Sequence, residues 1–218
     1  MTEINTKNLH KNFFCLDDHP LVKHKMTLIR DKNTSPKEFR EILEEITLIV
    51  ASEALRNLKF TEKTVETPLA SYKGISINDV TLIPVIRAGL AMMAPLQKLL
   101  PDSKVGFMGA SRNHETLKTQ QYYVNIPKID SEGTALILDP MLATGNTIAH
   151  TLNYLKEHNT KNVIVLSIIC VPNALNVIFQ AFPNCLVYTA ALDSTLNEKG
   201  YIVPGLGDAG DRIFNTFE

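Results

Sequence analysis

Asp139-Pro140-Met141-Leu142-Ala143-Thr144-Gly145-Asn146-Thr147 is entered by an apolar run, Ala135 to Leu138, and left by a helical pattern, Ile148 to Leu155. A strand therefore runs into a loop of small residues that opens a helix. Small residues let backbone N–H groups approach a ligand closely, and a helix start adds roughly half a positive charge aimed at an anion. Thr144 and Thr147 add hydroxyl donors, and Asp139 supplies a carboxylate at the strand's end. The set suits a sugar phosphate, with donors for its phosphate and an acceptor for its hydroxyls. No Gly-Lys-Ser/Thr follows at the spacing of a Walker loop, and the three-glycine dinucleotide pattern is missing. For the loop taken alone, an ordinary strand–turn–helix connection is the plain alternative.

The same alternation recurs on both sides of this loop. Val80 to Ile86 is an apolar, β-branched run of strand length, and Leu90 to Leu100 reads as a helix that Pro95 is expected to kink or delay. Lys104 to Gly109 predicts a short strand, Arg112 to Gln121 a mobile polar loop, and Tyr122 to Ile126 another strand. Beyond the loop, Asn162 to Val171 reads as a buried strand. Asn173 then caps a helix carrying Leu175, Ile178, Phe179 and Phe182, and Leu186 to Leu192 is a further strand. Near the start, Ser35-Pro36-Lys37-Glu38 is a capping-box signature for a helix whose apolar face (Phe39, Ile42, Leu43, Ile46, Ile49, Val50) continues to about Leu55. Thr64 to Tyr72 reads as a β-arm or insertion. The pattern implies right-handed crossovers and an α/β fold: a parallel sheet with helices on both faces, plus a small β-arm or hood. Ligands in such sheets lie beyond the strands' carboxyl ends, where both Arg87 and Asp139 fall.

The chain has 218 residues, enough for a two-faced sheet core, and residues 1–218 are expected to form a single domain. A formal charge of −1 gives no reason to expect a nucleic acid or an anionic membrane as partner. Cys15, Cys170 and Cys185 are odd in number and lack metal-like spacing, which favours reduced, buried thiols and a cytoplasmic location. The first residues lack the basic flank and apolar stretch of a secretion signal, and no run is long enough to span a bilayer.

The string DPMLATGNT closely resembles the 5-phosphoribosyl-1-diphosphate motif of the uracil phosphoribosyltransferases. The resemblance is nearly full length. It includes His19-Pro20-Leu21-Val22-Lys23-His24-Lys25, Val85-Ile86-Arg87-Ala88-Gly89-Leu90, Arg112 to Lys118, and Gly200-Tyr201-Ile202-Val203-Pro204-Gly205-Leu206-Gly207-Asp208-Ala209-Gly210-Asp211. It implies the phosphoribosyltransferase fold and transfer of ribose 5-phosphate to uracil, giving uridine monophosphate (UMP) and diphosphate in pyrimidine salvage.

The resemblance also implies residue roles. Arg87, Arg112 and Asp208 form the catalytic set. The sugar diphosphate is held by Arg87, Arg112 and Asp208 together with Asp139, Pro140, Met141, Leu142, Ala143, Thr144, Gly145, Asn146 and Thr147. Uracil is read by Ile202, Gly207, Asp208 and Ala209. Physically, a guanidinium offers fixed, forked donors to phosphate oxygens, although for an isolated arginine a solvated surface position is the ordinary fate. The cofactor is Mg²⁺, held mainly by diphosphate and water, with no dedicated metal cage expected from the protein. Relatives form dimers or higher homo-oligomers, a role open to the helix at 36–55, and some are controlled by purine nucleotides, which makes GTP a candidate activator.

The chain departs from its relatives at Asn146 and Asn215, where glycine is usual, at Ala91, and at His114, where an acid is common. If position 146 needs a glycine-only backbone, affinity suffers. The Asn146 and Asn215 departures motivate a rival reading as a non-catalytic sensor of the sugar diphosphate. Other rivals are the same chemistry on another base and an RNA-binding regulator, which lacks the expected Arg/Lys-rich run. The loop from Asn113 to Gln121 is expected to fold over bound sugar diphosphate.

Overall fold

A computed structural model describes residues 10–112 and 119–216. In chain order the elements are β1 (Phe13–Cys15), α1 (Pro20–Arg30), α2 (Pro36–Ala54), β2 (Phe60–Glu66), β3 (Ser71–Ile77), β4 (Val80–Ile86), α3 (Leu90–Leu99), β5 (Lys104–Val105) and β6 (Phe107–Arg112). They continue as β7 (Thr119–Asn125), β8 (Thr134–Leu138), β9 (Met141–Leu142), α4 (Asn146–Glu157), β10 (Asn162–Cys170), α5 (Pro172–Ala181), β11 (Leu186–Leu192), β12 (Thr195–Leu196), β13 (Ile202–Val203) and α6 (Ala209–Phe214).

The main sheet runs β1-β11-β10-β8-β4-β6-β7, with β5 beside β4 and β9 beside β10. Every pairing in it is parallel except β6 with β7. Its central strands are mostly apolar because both faces are covered: β8 is wholly buried, and so is β10 after Asn162. The chain moves from β4 outward to β6, returns to β8 on the other side of β4, and then steps away through β10 to β11. Right-handed crossovers in opposite directions put the helix after β4 and the helices after β8 and β10 on opposite faces. Accordingly α2 packs with α1, α3 and α6, while α4 packs with α5. Where the winding direction reverses, the loops after β4 and β8 diverge and open a crevice.

The capping box at the start of α2 is complete: Ser35 Oγ accepts from Glu38 N–H, and the Glu38 carboxylate accepts from Ser35 N–H. Its apolar face is buried within the chain against β10, β11 and the neighbouring helices, so it is not available to a second subunit. Exposed apolar residues gather instead on the β2–β3 arm, which is longer than the Thr64 to Tyr72 segment and turns nearly all of its side chains to solvent.

Three local expectations are corrected. The expected strand over 104–109 is split at Gly106, where a Cβ would sit 2.9 Å from Ile126 Cα and Pro127 Cδ. Arg112 and residues 119–121 belong to an antiparallel pair and not to a loop. The N-cap of α5 is Val171 and not Asn173, because Pro172 occupies the first helical position. α3 runs through Pro95 from Leu90 to Leu99, and its entry is tightened by Ala91 N–H to Ala88 C=O and Met92 N–H to Gly89 C=O bonds. Among the described residues no helix is long and apolar enough to cross a membrane.

Candidate active site

The loop after β8 builds the first half of the site. Gly145 is the N-cap of α4 with φ of 77°, and no side chain caps this helix. A Cβ on Gly145 would meet Ala174 C=O at 2.7 Å, so both its conformation and its packing against α5 require glycine. The first helical bond runs from Ala149 N–H to Gly145 C=O at 2.9 Å, leaving the N–H groups of the first turn without intrahelical acceptors. Thr144 Oγ1 makes only a long 3.5 Å contact with Asn146 N–H. An uncapped N-terminus of a twelve-residue helix is a receptive place for an anion. Asn146 lies inside the helix, so it needs no glycine-only conformation. Asn215 does adopt φ of 56°, as the C-cap of α6, a conformation Asn tolerates better than most residues.

Asp139 sits half-buried at the end of β8, where Oδ1 accepts from Met141 N–H at 3.2 Å. Burial pushes its carboxyl up to about 7, and the Met141 bond only partly offsets that. A lone carboxylate of this kind calls for a cationic or hydroxyl-bearing partner.

The turn after β4 joins this loop to the rest of the site. The Ile86–Arg87 peptide is cis. Gly89 N–H bonds Val85 C=O at 2.9 Å, and a Cβ on Gly89 would lie 2.2 Å from Leu138 C=O. Glycine is needed there for close approach, which sets the Arg87 turn against the strand end that carries Asp139. In the other direction, an Arg87 amino nitrogen reaches Asp211 Oδ1 at 3.4 Å, and a Cβ on Gly210 would lie 3.5 Å from the same nitrogen. The ion pair is exposed and long, and pairs of that kind contribute little. It is a resting contact that a phosphate oxygen can replace.

The segment 200–210 makes the second half. Gly205 (φ 64°) and Gly207 (φ 80°) shape it, Ile202 and Ala209 are buried, and Asp208 caps α6 by accepting Asp211 N–H at 3.0 Å. Among the described residues the Gly207 and Ala209 N–H groups have no acceptor. A cleft of about 480 Å³ between 32–36 and 204–208 has Gly207 and Asp208 on its wall. The strand end at Leu138, which leads into the loop of 139–147, and the start of α6 at Gly210 and Asp211, which follows the segment of 202–209, therefore both lie against the Arg87 turn.

Arg112 ends β6, three residues past Gly109, which lies level with Ile86 of β4. That places its backbone beyond the same carboxyl ends. Residues 113–118, including His114 and most of the expected closing loop, lie outside the described residues. Among the described residues no group of three or more His, Cys, Asp or Glu side chains could hold a metal ion.

Sequence reasoning missed three residues. Arg30, at the end of α1, forms a forked pair with Asp193 at 2.7 and 2.8 Å, and both bond the Gly205 peptide groups. Arg212 donates to Leu206 C=O and Ile29 C=O and stacks over Phe39, and burial lowers its pKa against the opposing pull of Asp31. Asp193 follows the apolar strand β11 just as Asp139 follows β8, and that shared position was the available signal. The arginines gave none.

Comparison with known proteins shows the family. The sequence profile described as uracil phosphoribosyltransferase matches residues 16–216. The chain belongs to the uracil phosphoribosyltransferase family. It is 49% identical over 201 residues to the uracil phosphoribosyltransferase of Thermosipho africanus, covering 91% of this chain and 97% of the relative. It is 46% identical over 202 residues to that of Campylobacter fetus, covering 92% and 97%. Among solved structures, the AQ2163 protein of Aquifex aeolicus is 36% identical, with a TM-score of 0.86 over 91% of this chain and 96% of that one.

Proposed function

We propose that this chain transfers ribose 5-phosphate from 5-phosphoribosyl-1-diphosphate to uracil, releasing diphosphate and forming UMP. The observation that carries this reading is the convergence at Arg87. Its turn touches the end of β8 on one side, and its guanidinium reaches the start of α6, which directly follows the base-facing segment, on the other. A glycosyl transfer between a diphosphate leaving group and a planar base needs both neighbours within one site.

The open start of α4, with N–H groups from Ala143 to Thr147 and the Thr144 and Thr147 hydroxyls, takes the 5-phosphate. Pro140, Met141 and Leu142 carry the chain into that loop, and β9 anchors it on β10 through Ile169 and Cys170. Arg87 exchanges Asp211 for diphosphate oxygens, and Arg112 approaches from the β6 side. Asp139 accepts the ribose hydroxyls. Uracil offers two carbonyls flanking an imide N–H. Gly207 and Ala209 N–H suit the carbonyls, a backbone C=O near Ile202 suits the imide, and Asp208 borders ring and ribose. Cytosine would leave these groups mispaired, and mismatches of this sort give discrimination of about 10⁴ or more where the site is built on hydrogen bonds.

Mg²⁺ suits a site with no cluster of carboxylates among the described residues, since the ion keeps several waters and binds mainly substrate oxygens, with Asp139 placed to meet the ribose hydroxyls directly or through a metal-bound water. When bound it neutralises charge developing on the leaving diphosphate. The chain's own part is to fix both substrates so that the reacting atoms stand about 3–3.5 Å apart.

The Asn146 and Asn215 geometries remove the motive for a sensor that had lost catalysis. One assay tests the reading: incubation with the sugar diphosphate, Mg²⁺ and each of uracil, cytosine, hypoxanthine and adenine, followed by measurement of nucleotide and diphosphate. UMP with uracil alone is expected. Product from another base in preference, or from none, rejects it. The apolar residues exposed on the β2–β3 arm support a homo-oligomer.

A further inference from the structure

The base-facing segment is held by an ion pair whose arginine, Arg30, also lines the cleft beside Gly207 and Asp208 and has no assigned part in the proposed chemistry. We propose that Arg30 and Asp193 are positioning residues for base recognition: by gripping both peptide groups of Gly205 they set the aim of the Gly207 and Ala209 N–H groups, and with it the KM for uracil and the choice of pyrimidine. The proposal rests on 202–209 being the base site.

Four bonds form a closed ring. Arg30 donates to Asp193 Oδ2 at 2.8 Å and to Oδ1 at 2.7 Å, and one of the same guanidinium nitrogens donates to Gly205 C=O at 2.8 Å. Asp193 Oδ2 closes the ring by accepting Gly205 N–H at 2.8 Å. Both ends of the grip are rigid. Arg30 is the last residue of α1, and Asp193 N–H bonds Cys170 C=O at the end of β10 at 2.9 Å. Gly205 itself has no alternative side-chain anchor, since a Cβ there would lie 2.1 Å from Ile202 C=O. Arg212 extends the grip to the next carbonyl, Leu206, at 2.8 Å.

A largely buried ion pair is weak evidence for stability, because desolvation offsets its attraction, whereas a fork of directed donors fixes orientation. Orientation is what a planar ring read by main-chain groups requires. A displacement of about 1 Å at such a site has effects on the order of 10²-fold.

The test uses the full chain and the variants Arg30→Met, Arg30→Lys and Asp193→Asn, with steady-state KM for uracil and for 5-phosphoribosyl-1-diphosphate, the uracil-to-cytosine ratio of kcat/KM, and a thermal melt. Arg30→Met and Asp193→Asn are expected to raise the uracil KM about tenfold or more and to narrow the base ratio, while the sugar diphosphate KM stays within about twofold. Arg30→Lys keeps the charge without the fork and is expected to fall between wild type and Arg30→Met. It decides the matter if the other two fail to fold. A folded variant set with uracil KM within about twofold of wild type, or with both KM values rising in proportion, overturns the proposal. Wild type that makes no nucleotide from uracil removes the base site and this proposal together; active wild type with unchanged variants removes this proposal alone.

Discussion

Arg87 and Asp139 meet at the crevice with opposite needs. Arg87 has a long, exposed partner in Asp211 and is ready to exchange it, while Asp139 is half-buried with only a backbone donor. Arg87→Ala is expected to lower kcat/KM on the order of 10²-fold with little change in melting temperature, checked by steady-state kinetics beside a thermal melt. For Asp139, the folded carboxyl titrates at about 7 against an ordinary 3.8, so between those values the folded chain keeps a proton that the unfolded chain has lost. Stability from this group therefore falls as pH rises through that window. Asp139→Asn keeps an acceptor for Met141 N–H, and its melting temperature should match wild type near pH 4 and exceed it increasingly up to pH 8. A difference that does not widen with pH contradicts the assignment. Both residues were legible because each directly follows an apolar strand. Arg30 and Arg212 were not, since what they grip are carbonyls far away in sequence, and a lone arginine in a polar stretch says nothing about its reach.

At the scale of elements, most of the sheet could be read because buried parallel strands are continuous apolar runs. Val80–Ile86 and Leu186–Leu192 appear with the bounds expected. Periodicity failed where backbone approach decides the outcome. At Gly106 the chain passes so close to Ile126 and Pro127 that no side chain fits, and nothing in the local sequence announces a neighbour twenty residues away. The start of α5 was misplaced because Asn173 has capping chemistry, yet Pro172 had already opened the helix. The loop after β8 shows both lessons at once. Its Thr-Gly-Asn-Thr chemistry marked the turn, while the close packing of α4 on α5 at Ala174 emerged only in three dimensions. Gly145→Ala combines a positive φ with that close contact. It is expected to cost about 1–3 kcal/mol of stability in denaturant melts and to weaken sugar diphosphate binding. An unchanged midpoint and affinity would show that the loop tolerates a second conformation.

For the whole molecule, the arm is the part that folding of one chain leaves unexplained. A two-stranded hairpin is marginal in water without support. Cross-strand pairing sets Phe60, Ile75 and Ile77 on one face near the root and Val65 with Tyr72 on the other, and Leu69 stands 97% exposed beyond them. Meanwhile the apolar stripe of α2, the element first considered for assembly, is consumed by the core. An arm with apolar groups on both faces is stable if another subunit covers it, and contiguous exposed apolar surface of this kind is characteristic of interfaces. The triple variant Leu69→Ser/Tyr72→Thr/Ile75→Thr is accordingly expected to shift the particle from an oligomer to a single chain of 24.3 kDa in light scattering coupled to size exclusion. Since the arm joins the start of β4 at Val80 and Arg87 follows the other end of that strand, residual activity should survive at high protein concentration. An oligomer of unchanged mass would place the interface elsewhere, and a wild-type single chain would leave the hairpin to stand by its own cross-strand pairs.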